Sequence, residues 1–299
     1  MAVLIALISV SVKLVVKSNI TLDSRRMFGV AINRSIFKKT LKLSVFFYVF
    51  IFYSDHLFAE CGFRPSLPSY RVDRVVDGDT VRLTNGEKVR LIGVNTPELK
   101  RDDRPAEPLA DVSTQFLDQL LIDRQIFIRE GEKNRDRYGR LLAYVYTGAG
   151  KSAEQALLEN GLGFVVAIPP NLGLVVCLQA AEAVARSKKL GVWRHPNWQP
   201  SSADADLVGG FQRITARVER VTTVRDGWWV DLEGNVALRL QRNDQAFFPS
   251  LVFSELSSNL VGKKILVRGW LIDRSKRKHY NPRYKRWMMW LRHPTMVSW

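Results

Sequence analysis

Val89-Arg90-Leu91-Ile92-Gly93-Val94-Asn95-Thr96-Pro97-Glu98 begins as an apolar strand and ends in oxygen-bearing side chains. A guanidinium, a short amide, a hydroxyl and a carboxylate fall between Arg90 and Glu98. Upstream lies Asp77-Gly78-Asp79-Thr80, and downstream lies Asp136-Arg137-Tyr138-Gly139-Arg140. Together these supply hard oxygen ligands, a candidate base and two arginines. Phosphodiester hydrolysis asks for those groups: a cation against phosphate charge, a carboxylate to activate water, and guanidinium groups to hold developing charge.

Outward from that segment, β-branched runs occupy 70–76, 80–83 and 88–94. Asp77-Gly78-Asp79 and Asn85-Gly86 punctuate them, the second being a strong hairpin signal. Residues 106–122 place Leu109, Val112, Phe116, Leu117, Leu120 and Leu121 at steps of three and four, which predicts a helix with one buried face. Strand character returns at 124–129 and 141–146. Helices are predicted over 152–159, stopped by Asn160-Gly161, and over 175–188. Residues 199–209, poor in pattern, read as a linker. Beyond Gly210, strands are predicted at 214–221, 228–232, 236–240, 264–272 and 287–291, with a short helix at 254–260. Five strands with a helix after the third is the layout of an OB barrel. No sequence repeat links the two halves.

Residues 70–198 resemble the staphylococcal nuclease (thermonuclease) family. Four blocks carry the resemblance in order: 76–81, 90–98, 136–144, and 156–162 continuing to the helix that ends near Trp193. It implies a mainly β fold with helices (α+β), a nuclease-type OB barrel followed here by a second small OB-like barrel. It also implies calcium-dependent hydrolysis of DNA and RNA. On the matching positions, Asp79 is a carboxylate ligand, Thr96 offers its backbone carbonyl, and Asn95 stands where the family commonly places aspartate. Glu98 is the implied general base, Arg90 and Arg140 clamp phosphate oxygens, and Asp77 and Asp136 orient the ligands and the Arg140 turn. Asn95 removes a formal charge, which predicts weaker calcium binding or tolerance of another divalent ion. Where the best-known member packs two tyrosines around its nucleotide, this chain reads Val165-Val166-Ala167-Ile168-Pro169-Pro170-Asn171. Base stacking must then weaken or come from elsewhere.

The net charge of +16 predicts a polyanionic partner. Residues 1–59 carry a surplus of six basic groups, 60–208 balance, and 209–299 carry a surplus of ten. Most of the excess beyond the N-terminal segment thus lies outside the catalytic blocks. Within 274–287, Lys276, Arg277, Lys278, Arg283, Lys285 and Arg286 interleave with Tyr280 and Tyr284, a pattern that suits phosphates and stacked bases of a single strand. A transient contact with anionic membrane is the other use of such a patch, and no protein partner is inferred. Trp228, Trp229, Trp270 and Trp290 read as packing residues.

Lys38-Lys39 and Lys42 precede an apolar run over 43–53 and a small residue at Ala59, the pattern of a secretory signal. The alternative is an uncleaved anchor, although the run is shorter than the roughly 20 residues of a comfortable span. Met27 offers a second start, which makes 1–26 an over-extended one. The expected division is therefore 1–59 export segment, 60–198 nuclease domain, 199–209 linker and 210–299 basic nucleic-acid-binding domain, with a periplasmic or extracellular destination. Cys61 and Cys177, the two cysteines, either pair across a long loop or stay as thiols. A metal-dependent nuclease is the reading these features favour, against a non-catalytic nucleic-acid-binding protein on the same barrel.

Overall fold

The computed structural model describes residues 61–62, 66–100, 104–122, 124–248 and 260–298. The expected export segment and nearly all of the helix expected at 254–260 lie outside the described residues. Among the described residues, no helix is long and apolar enough to cross a membrane.

Five strands close the first barrel in the order β1-β2-β3-β6-β5. They are β1 (Ser69–Asp77), β2 (Thr80–Leu83), β3 (Lys88–Leu91), β5 (Gln125–Arg135) and β6 (Leu141–Thr147). Neighbours run antiparallel except β3 and β6, which pair parallel. Alternation along the strands sends Val72, Val81, Leu83, Val89, Leu91, Ile126, Ile128, Ala143 and Val145 inward, and all are buried. Two further strands, β4 (Val94–Asn95) and β7 (Phe164–Val165), pair only with each other.

Helix α1 (Ala110–Leu121) buries Ala110, Ser113, Leu117 and Leu121 as one row. Val112, expected on the buried face, is exposed instead. A step of about 100° per residue carries it off that row. Helix α2 (Ala153–Glu159) starts at Ser152, whose hydroxyl accepts the Gln155 amide at 3.1 Å. Helix α3 (Val175–Ser187) turns Leu178, Ala181, Glu182 and Ala185 inward. Cys177 on α3 forms a disulfide with Cys61, with 5.5 Å between their Cα atoms.

The second barrel repeats the first in outline. Its strands are β9 (Gly210–Val224), β10 (Gly227–Leu232), β11 (Val236–Gln241), β12 (Lys264–Asp273) and β13 (Trp287–Trp290). They form the ring β9-β10-β11-β13-β12, closed by pairing of β12 with β9, and the third and fifth strands again run parallel. Strand β9 is longer than its pattern suggested, because its first half pairs with β12 and its second with β10. Short strands β8 (Ser201–Ser202) and β14 (Val297–Ser298) extend the sheet. Thus β8, within the stretch expected as linker, pairs parallel with β9, and Ala203 beside it is buried. Besides the two barrel cores, a third apolar cluster joins Phe164, Trp193 and Trp198 to Phe211 of the second barrel.

Candidate active site

The turn between β1 and β2 is the floor of the site. Asp77 accepts the Asp79 amide on Oδ1 at 3.2 Å and tightens the turn. A Cβ on Gly78 would lie 2.5 Å from Ser113 Oγ and 2.6 Å from Thr96 Oγ1. Glycine therefore lets α1 and Thr96 close over the turn. Asp79 is buried there, its Oδ2 accepting the Thr96 amide at 3.1 Å and lying 2.9 Å from Arg90 Nη2. Arg90 Nη1 donates to the carbonyls of Leu91 and Val94, the second at 2.9 Å, so one edge of the guanidinium is fixed while the other meets Asp79.

Burial is the largest influence on Asp79 and pushes its carboxyl up to about 7. Arg90 pulls it down, while the nearby charges of Asp77 and Glu98 add to the rise. Arg140 approaches from the turn before β6. Its Nε lies 2.7 Å from Asp136 Oδ2, and its Nη1 lies 3.4 Å from Thr80 Oγ1. Thr80 also donates to Asp79 at 3.2 Å, so one hydroxyl touches both halves of the site. Burial works to raise the Asp136 carboxyl, but hydrogen bonds from Arg140 and from the Tyr138 and Arg140 amides hold it below the usual range.

Glu98 leaves the end of this strand segment and is held through its backbone. Its amide donates to Glu107 Oε2 at 2.9 Å, and the Glu107 amide returns a bond to the Glu98 carbonyl at 2.8 Å. Burial raises the Glu107 carboxyl, and the Glu98 charge adds to that. Sequence reasoning missed Glu107, since the loop between the two glutamates has no periodicity to mark the pairing. It also passed over Tyr138, which is 69% exposed with the Arg137 and Arg140 guanidinium groups 4.7 and 5.6 Å from its ring centre. An open cleft of about 400 Å³ between 85–88 and 138–140 includes Tyr138 and Arg140.

The structure thus brings Asp77, Asp79, Arg90, Asn95, Thr96 and Arg140 into one connected set, with the Glu98 charge near Asp79. These groups suit a hard cation in kind: Asp79, the Asn95 amide oxygen and the Thr96 carbonyl are oxygen donors. Asn95 is buried, and its Nδ2 lies 3.4 Å from the Thr96 carbonyl. A fully buried carboxylate that Arg90 alone does not bring back to its ordinary range is a place where added positive charge is favourable. Acidity is limited, however. No group of three or more His, Cys, Asp or Glu side chains is arranged to hold a metal among the described residues.

The predicted nucleic-acid-binding set lies apart, on the second barrel. Lys285 is engaged by Glu219 and by the Gly234 carbonyl at 2.8 Å, and Arg286 by Asp273 at 2.7 Å. The Tyr280 hydroxyl donates to the Tyr284 carbonyl at 3.0 Å. Lys276, Arg277, Lys278 and Arg283 are exposed. Tyr284 is 57% exposed, with the Arg274 guanidinium 5.5 Å from its ring centre and the same guanidinium 4.9 Å from that of Trp229. Four exposed cations and one presented tyrosine remain outermost on this loop.

The family model for the staphylococcal nuclease homologue matches residues 88–195. A thermonuclease from Staphylococcus intermedius is 34% identical over 128 residues, which cover 42% of this chain and 76% of that protein. The SPbeta prophage-derived endonuclease YokF of Bacillus subtilis is 32% identical over 158 residues, 51% of this chain and 52% of that protein. Endonuclease YncB of the same organism is 35% identical over 133 residues, 42% and 62% respectively. Matched regions therefore span about half of YokF and under two thirds of YncB. With its closed barrel and these relatives agreeing, the chain belongs to the staphylococcal nuclease family.

Proposed function

We propose that this protein is an exported nuclease that hydrolyses phosphodiester bonds in DNA, RNA or both with the aid of a divalent cation, calcium being favoured. The observation that carries the proposal is the buried Asp79–Arg90 pair, joined through Thr80 to Arg140. Two guanidinium groups held on separate elements can grip one phosphate from two sides. Arg90 keeps its carbonyl contacts while turning toward phosphate, and Asp136 fixes the direction of Arg140. Glu98 takes a proton from water as the water oxygen bonds to phosphorus and the P–O bond to the 5′ carbon's oxygen breaks, that oxygen taking a proton from solvent to leave as a 5′-hydroxyl. The products then carry a 3′-phosphate. Asp79, Asn95 and the Thr96 carbonyl would hold the cation, whose charge would offset that of the phosphate.

Single-stranded substrate is favoured by the exposed cations and Tyr284 on the second barrel, which suit an unpaired strand. An extracellular or periplasmic location is supported by the disulfide, a bond that persists in oxidising compartments. A non-catalytic nucleic-acid-binding role draws support from one observation, Asn95 at a ligand position. Contact of the 274–286 loop with anionic membrane is the remaining use of its charge.

Cleavage of single-stranded DNA with calcium, with a chelator, and by Glu98→Gln decides between these. The expected outcome is calcium-dependent cleavage that the variant loses by about 10²–10⁴-fold. Binding without cleavage under any divalent ion would leave the non-catalytic role. A salt series on oligonucleotide and on anionic vesicles then separates strand from membrane, because strand affinity falls steeply with salt.

A further inference from the structure

We propose that the second barrel is a working part of the active site, and that Phe211 and Arg268 are positioning residues for the strand carrying Asn95 and leading into Thr96. The starting point is how little holds that strand. β4 is two residues long, and its partner β7 is also two residues long, in a sheet separate from both barrels. Two such strands have no stability of their own. Their position is set by their neighbours: Val94 and Val165 lie in the first barrel's core, and further contacts pack on β7.

Two of the contacts on β7 lead to the second barrel. Phe164 of β7 pairs with Asn95 and is buried. Its ring stacks on Phe211 at 5.2 Å and meets Trp193 and Trp198 edge-on at 5.3 and 5.5 Å. The Val165 amide donates to Glu182 Oε1 at 2.7 Å, and Arg268 Nη1 grips the same carboxylate at 2.7 and 2.8 Å. Phe211 and Arg268 sit on the adjacent strands β9 and β12, and the Arg268 Nε is itself fixed by the Thr295 carbonyl at 3.1 Å. A movement of the second barrel therefore reaches side chain and backbone of β7 together.

Tight packing passes the constraint from β7 to β4. A Cβ on Gly163 would lie 2.8 Å from the Asn95 carbonyl and 3.0 Å from Val94 Cγ2, and the Val166 amide donates to the Gly93 carbonyl at 3.1 Å. On the far side of β4, the Val94 carbonyl accepts from Arg90 and the Thr96 amide donates to Asp79. The family match ends at residue 195, so Phe211 and Arg268 lie outside the region it covers. The effect on catalysis rests on the nuclease reading above; the effect on β4 does not.

Amide hydrogen exchange read by mass spectrometry tests this on the full chain without added divalent ion. Phe211→Ala and Arg268→Gln should each speed exchange in peptides covering 93–96 and 164–166 by about tenfold or more, leaving β1, β2 and β5 as they are. Arg268→Lys should restore part of the protection, and Val230→Ala, in the core of the second barrel, should leave 93–96 unchanged. Unchanged exchange at 93–96 in both interface variants would overturn the proposal, and so would equal acceleration throughout the first barrel. With calcium and substrate, the interface variants should need several-fold more calcium for half-maximal cleavage while keeping most of the rate at saturation. If the unaltered protein cleaves nothing, the nuclease reading fails, and the exchange result still supports or overturns the positioning role.

Discussion

In each barrel an arginine on the third strand reaches back to an aspartate in the turn between the first two: Arg90 to Asp79, and Arg239 to Asp226. Each arginine also donates to the carbonyl of the residue that follows it, Leu91 or Leu240. Ring order and the parallel pairing of third and fifth strands are shared as well. The carboxylates differ. The Asp79 side chain is 5% exposed, whereas that of Asp226 is 74% exposed. Arg239 is itself buried, but water screens the Asp226 end of its pair. Around Asp79, α1 and Thr96 exclude water, so the same pair becomes a concentrated charge that responds to a cation or a phosphate. What makes a site here is the cover over the pair rather than the pair.

Replacing each arginine in turn gives the largest contrast. Arg90→Ala should lower cleavage by about 10²–10³-fold, the usual loss when a preorganised donor to developing charge is removed. Arg239→Ala should leave the rate unchanged. It should instead cost about 1–3 kcal/mol in urea unfolding, because the carbonyls of Trp228 and Leu240 lose their donor. Equal loss of cleavage in both would end the distinction drawn between the barrels.

Buried carboxylates sharpen it next. In the second barrel Asp244 is buried against Arg292 at 2.6 Å. In the first, Glu154 is buried with hydrogen bonds from the Val145 amide at 2.9 Å and the Ser152 hydroxyl at 2.7 Å, and burial pushes its carboxyl up to about 7. Below about pH 4.5 the group is neutral in folded and unfolded chains, and its contribution is complete. As pH rises toward 7 the unfolded chain ionises first, so stability is lost, by about 3 kcal/mol in all. Stability curves of the protein and of Glu154→Gln should therefore diverge between pH 4.5 and 7, with the variant flatter.

A smaller effect concerns the missing charge of the site. Asn95→Asp should lower the calcium concentration for half-maximal cleavage by about tenfold, since affinity follows the count of ligand charges. No change would mean that residue 95 is not a ligand. The least effect belongs to Asp226→Asn, under about 1 kcal/mol in stability with cleavage unaltered.

Much of this was legible in the sequence for local reasons. Alternating β-branched runs, Asn85-Gly86 and the Asn160-Gly161 stop act over a few residues, and the elements they predict are present. The site blocks were readable because the resemblance fixed their order. What stayed hidden depends on pairing across distance. Phe164 and Phe211 meet across 46 intervening positions with no pattern to announce it. Glu107 supports Glu98 through a loop without periodicity. The shared ring order of the barrels is carried by strand pairing, which a dissimilar sequence does not display.

The Cys61–Cys177 bond has a further consequence under proteolysis. Its two ends are 116 positions apart, and the interval contains Asp77, Asp79, Arg90, Asn95, Thr96, Glu98, Asp136 and Arg140. A single cut in any surface loop of that interval leaves two pieces that are still one molecule. Nicked protein should run as one band on a non-reducing gel and two on a reducing one. The site can thus outlive the continuity of its own backbone.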